Sequence, residues 1–161
     1  MKKITRIFSV FITVFLFTTA VVLTGSTQKA SAVAAAPGLT QFKITGFANK
    51  AFYDKNNERC LPKEYANNIA IVGPEVYLSY IKVGYGNVRY SIDGGSYQNA
   101  IRTVKDTPYS QWNKYGQYAV YAWSNVDAIR LTPGQHTIQA TCFNTGVGGS
   151  NISDSITVTV K

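Results

Sequence analysis

The C-terminal third of the chain alternates in polarity with a period of two, which leaves a β-sheet as its natural destination. His136-Thr-Ile-Gln-Ala-Thr-Cys-Phe143 and Ile152-Ser-Asp-Ser-Ile-Thr-Val-Thr-Val160 place an apolar residue at nearly every second position. Successive side chains of a strand point to opposite faces, so each run has one dry face and one wet face. Thr132-Pro-Gly-Gln135 ahead of the first run, and the glycine-rich residues 144–151 between the two, supply corners. The reading is of half-buried antiparallel strands.

The same pattern recurs upstream. Residues 39–47 alternate and read as a first strand, and residues 48–68 as a long polar loop with one helical turn. Gly73-Pro74 breaks the apolar run 69–72 before a strand over 75–83. A turn at 84–87 leads into a strand over 88–93. Asp93-Gly94-Gly95 offers the positive-φ residues of a tight hairpin, with 97–104 as its return strand. Residues 105–117 read as a second loop, 118–123 and 128–131 as further strands. About eight short strands, with no helical period and no repeat, predict an all-β, immunoglobulin-like antiparallel sandwich of seven to eight strands.

The front of the chain bears on compartment. Met1-Lys-Lys-Ile-Thr-Arg6 is basic, residues 7–23 are apolar, and Ala30-Ser-Ala32 is a small-residue cleavage site. That order predicts a signal peptide over 1–32, a short linker over 33–38 and one domain over 39–161. Ser26 stands where a lipidated cysteine would be, so the expected location is secreted and extracellular, with possible cell-wall association and no stable membrane anchor. Four basic residues fall within 1–32, so the formal net charge of +8 for the whole chain becomes +4 after cleavage. The remaining cations are spread singly, without the cluster that nucleic acid binding favours.

Cys60 and Cys142 are the two cysteines. Cys142 shares a strand face with Ile138 and Ala140 and should point inward. A bridge between the two is expected in an oxidising compartment; closing a loop of about 80 residues would contribute about 4–5 kcal/mol in the chain-entropy picture. The alternative is two buried thiols acting as small hydrophobes.

Leu131-x-Pro-Gly134-x-His136-x-Ile138 places a ring where immunoglobulin-like folds carry a corner tyrosine. The wider succession runs Val88-Arg-Tyr-Ser-Ile-Asp-Gly-Gly, Arg102, Thr107-Pro-Tyr-Ser, Tyr118, Trp123, Pro133-Gly-Gln-His-Thr-Ile-Gln-Ala-Thr, Gly148-Gly and Ser155-Ile-Thr-Val-Thr-Val. It resembles an immunoglobulin-like module of bacterial secreted proteins, over most of 39–160. The resemblance implies the fold and an accessory or adhesive role beside carbohydrate-active or cell-surface proteins. Cys60, Cys142 and the 48–68 loop are not part of that pattern.

Catalytic chemistry finds few parts. His136 is the single histidine, and it opens a strand where a ring nitrogen can bond backbone across a turn. His-based zinc sites and Ser/His triads lack partners. The aspartates show no calcium-ligand spacing, so no metal and no cofactor is expected. A hydrolase would need carboxylates such as Glu64, Glu75 and Asp106 gathered in space.

Aromatic residues stand out instead. Most of the eleven tyrosines lie on strands, where cross-strand packing recruits them. Tyr97 at the start of the return strand, and Trp112 and Tyr115 in the 105–117 loop beside amides and a lysine, are the exposed ligand-binding candidates for stacking on a sugar. The first expectation is a non-catalytic module for a polysaccharide or cell-envelope glycan. The alternative is a protein-contact domain, adhesin-like or an enzyme inhibitor, using the 48–68 loop. A small hydrolase stands third.

Overall fold

The structure, a computed structural model, describes residues 35–49, 60–104, 106–112 and 118–161. The expected signal peptide lies outside the described residues. Nine strands are present among those described: β1 (Gln41–Asn49), β2 (Leu61–Pro62), β3 (Glu75–Val83), β4 (Gly86–Ile92), β5 (Arg102–Thr103), β6 (Thr107–Trp112), β7 (Tyr118–Arg130), β8 (Gly134–Asn144) and β9 (Ile152–Val160). They form two antiparallel sheets. The larger runs β2-β1-β3-β7-β5, with β6 also paired to β7; the smaller runs β4-β8-β9. Setting aside the two-residue β2, this division matches the strand order of the constant-type immunoglobulin sandwich.

The core lies between the sheets. Phe42, Ile44, Val76, Leu78 and Ile129 from the larger sheet meet Ile138, Ala140, Cys142, Ile156, Val158 and Val160 from the smaller. Each fully buried aliphatic side chain contributes about 1.5–3 kcal/mol through surface removed from water. Ile44 and Phe47 both belong to this core although three residues apart, a spacing that strict alternation would split between faces. A register shift between Ile44 and Gly46 restores Phe47 to the dry side. Gly46 is required there, because a Cβ would meet the Leu61 carbonyl oxygen at 2.4 Å.

One open side of the sandwich is stitched shut. Asp154 of β9 accepts the Ile44 amide at 2.9 Å through Oδ2 and pairs with Lys63 at 2.6 Å through Oδ1. Further along the same edge, the Ile71 amide donates to the Thr159 carbonyl and the Lys161 amide to that of Ile71. Both bonds occupy backbone groups of β9 that β8 does not use.

Two expected strands differ. The turn at Asp93-Gly94 forms with φ of 51° and 75°, but the return pairs with β4 only at Gln98, opposite Tyr90. The chain then crosses to the larger sheet, where Arg102 and Thr103 pair with Ala128 and Asp127. Residues 107–112, expected in a loop, form β6 instead, paired with β7. The expected linker is docked from Ala36 onward, through bonds between Gly38 and Val147 and between Tyr85 and Pro37.

The expected disulfide between Cys60 and Cys142 is absent. The reason is the sheet between them. Cys142 faces the inter-sheet core, whereas Cys60 packs with Ala48, Tyr77, Val126 and Ala128 in a separate apolar cluster. Tyr77, Val126 and Ala128 alternate with the core-facing residues of β3 and β7, so that cluster covers the outer face. Burial pushes the Cys142 thiol up to about 11, which makes it a small hydrophobe with little nucleophilic character.

Candidate ligand-binding cleft between the sheets

Toward one end, the layer between the sheets turns from apolar to polar. On β3 the inward series runs Val76, Leu78, Tyr80, Lys82, and on β7 the residues opposite are Ile129, Asp127, Asn125 and Trp123. Tyr90 of β4 faces them from the smaller sheet and is fully buried. The strands part here into a cleft of about 400 Å³, whose lining includes Tyr80, Lys82, Arg89, Asn99, Asp106 and Asn125.

The polar side chains form a connected network. The Tyr90 phenol donates to Asp127 Oδ2 across the two sheets. Asn125 Nδ2 donates to the Tyr80 hydroxyl at 2.9 Å and to Asp106 Oδ1 at 2.5 Å. Lys82 Nζ lies 3.0 Å from Asp106 Oδ2. Asp127 is 3% exposed, and its Oδ1 has no hydrogen-bond partner among the described residues. Burial raises the Asp127 carboxyl above the ordinary carboxylate range, while the hydroxyls of Tyr90, Tyr80 and Thr103 draw it partly back. Burial likewise raises the phenols of Tyr80 and Tyr90, and the charge of Asp127 adds to it. Both remain neutral donors at physiological pH.

Beyond Lys82 the wall becomes aromatic. Lys82 Nζ sits 5.6 Å from the Trp123 ring centre. Tyr85 packs edge-on against Trp123 at 5.0 Å and tilts toward Tyr121 at 6.0 Å. Tyr85 and Tyr121 are exposed. A cleft of amides and carboxylates beside aromatic rings can hydrogen-bond a polyhydroxylated molecule and cover its apolar faces.

Among the described residues the cleft lining does not include Tyr97 or Trp112. Tyr97 lies against the outer face of the smaller sheet, its hydroxyl 3.1 Å from Thr141 Oγ1 and its ring edge-on to Phe143. Trp112 ends β6 in the larger sheet, paired with Tyr118. Tyr115 lies outside the described residues, as do residues 50–59 of the loop assigned to protein contact. Glu75 and Asp106 are also apart. Glu75 begins β3 and Asp106 pairs with Lys82 seven residues on, about 23 Å at the rise of a strand. Glu64 is exposed on the 3₁₀ turn Lys63–Tyr65. His136 takes the corner role: Nε2 lies 3.0 Å from the Thr132 carbonyl oxygen, and Nδ1 lies 2.7 Å from Asp93 Oδ2. Among the described residues no three His, Cys, Asp or Glu side chains gather.

The polar cleft was missed because the alternation of β7 points the other way. Val126 and Ala128 are its small apolar residues, and they face outward beneath the second cluster. The available signal was Lys82: in register with Leu78 and Tyr80, a lysine on an inward face demands a buried partner.

No protein-family model matches the chain, and no curated protein or solved structure does either.

Proposed function

We propose that the chain is an exported, non-catalytic binding domain whose ligand is a glycan of the cell envelope or its surroundings. The inter-sheet cleft carries this reading. It offers amide, carboxyl and ammonium groups within one concavity of about 400 Å³, a volume suited to a small ligand or a short stretch of polymer. The rings of Tyr85, Tyr121 and Trp123 adjoin it through Lys82. Its two carboxyls already have structural partners, Asp106 in Lys82 and Asn125, Asp127 in Tyr90, which favours recognition over acid–base chemistry. The basic front of the chain and its apolar run support export.

Glycan-array binding and cell-wall pull-down test the proposal. The wild-type chain should retain at least one glycan class, and Asn125→Ala should weaken retention about tenfold through loss of its hydrogen bonds. Absence of binding to every glycan and to cell walls would reject the reading.

A further inference from the structure

The charges of the cleft do not balance, and the imbalance centres on one carboxyl. Lys82 and Asp106 neutralise each other at 3.0 Å. Arg89, at the rim, has its guanidinium 5.8 Å from the Phe143 ring centre on the outer face of the smaller sheet. Asp127 takes part in no ion pair among the described residues. Its Oδ2 accepts from Tyr90, while its Oδ1, part of a carboxyl that lines the cleft, accepts from no described residue. The ionisable groups around it are Tyr90 on β4, Tyr80 and Lys82 on β3, and Asp106 ahead of β6, with Cys142 of β8 near Tyr90.

We infer that the cleft selects a ligand carrying a protonated amine among its hydroxyls, an amino sugar in its un-acetylated form, with the ammonium directed at Asp127. This deepens the glycan-binding reading and rests on it. An ammonium brings three donors and a positive charge, and a charge-assisted bond to a carboxylate is about twice as strong as a neutral one. An acetamido group in the same place offers one N–H, a methyl and no charge, so it leaves the buried carboxyl without a counter-ion. Asn99, exposed, lines the same space and brings an amide suited to the hydroxyls. Thr103, exposed beside the carboxyl, belongs to a strand of only two residues. Burial works against ionisation of Asp127 in the empty cleft, and a ligand cation works in the opposite direction.

Isothermal titration calorimetry of the full chain tests this, with the glucosamine tetramer and its fully N-acetylated counterpart at pH about 5.5, where the free amines are charged. The free-amine tetramer should bind about tenfold tighter or better. Asp127→Asn keeps the shape and an acceptor for Tyr90 but loses the charge, so it should bring the two affinities within about threefold. Equal or weaker binding of the free amine by wild-type chain overturns the inference, and so does a preference that persists in Asp127→Asn. In both cases measurable binding of either tetramer leaves the glycan reading standing. Binding of neither tetramer, with neutral glycans bound, also overturns the inference alone; binding of no glycan at all overturns both. Should Asp127→Asn fail to fold by circular dichroism, the comparison of the two tetramers on the wild-type chain still decides.

Discussion

The two ends of the inter-sheet layer are built from the same strands to opposite rules. Around Val76, Leu78, Ile129, Ile138 and Val158 the layer is apolar and fully buried. A few residues along β3 and β7 it holds Tyr80, Lys82, Asn125 and Asp127 and opens into a cleft. The first end gains stability from removal of apolar surface from water. The second holds groups whose burial is costly unless each is bonded, and one carboxyl oxygen has no hydrogen-bond partner among the described residues. Apolar packing and polar clustering are thus segregated along a single pair of strands.

Substitutions at either end test that division. The largest effect is expected at the apolar end: Leu78→Ala should lose about 2–5 kcal/mol of unfolding free energy in urea, as large-to-small core changes do. Ligand binding in the folded fraction should be little changed. Tyr90→Phe at the polar end removes the Tyr90 donor to Asp127 Oδ2 and should cost about 1–3 kcal/mol by the same measurement. A cost for Tyr90→Phe equal to that of Leu78→Ala would erase the contrast.

The next contrast is in pH. The Asp127 carboxyl is raised in the folded state, so folding favours its protonated form. Its stabilising contribution is present at low pH and is lost as pH rises from the ordinary carboxylate value through the folded one. Asp154 behaves oppositely. Its partial burial raises its carboxyl, but Lys63 and the Ile44 and Ser155 amides outweigh this and lower it. Its contribution is present above the ordinary value and lost on acidification. Asp127→Asn should therefore flatten the fall of a stability–pH curve as pH rises above the ordinary carboxylate value, and Asp154→Asn the fall on the acid side. A curve unchanged by Asp127→Asn would show that this carboxyl ionises freely.

The smallest effect belongs to the sandwich edge. Lys63→Ala removes a partly exposed ion pair, and should cost about 1 kcal/mol or less in urea denaturation. Asp154 retains its bonds from Ile44 and Ser155.

How much of this the sequence disclosed depended on whether alternation and burial agreed. They agree over 75–83 and 152–160, where the strands fall at the expected residues, and at Asp93-Gly94, whose turn demands positive φ. They disagree along β7. There the apolar Val126 and Ala128 face outward and the polar Asn125 and Asp127 inward, so the pattern names the wrong dry face. Strand 107–112 was hidden because its Thr, Ser and Gln carry no apolar signal. The return from Asp93-Gly94 was misassigned because turn chemistry sets the reversal but not how far the chain stays paired. The separation of Cys60 from Cys142 depends on which face of the larger sheet Cys60 packs against, and spacing along the chain carries no trace of that.

The stitching of β9 to β1 and to Ile71 has a consequence for how copies of this chain can meet. A β-strand with unused backbone donors and acceptors is a template on which another chain can polymerise. On this flank the Ile44 amide is taken by a carboxylate and the far end of β9 by a neighbouring segment, so crowded copies find those positions already capped.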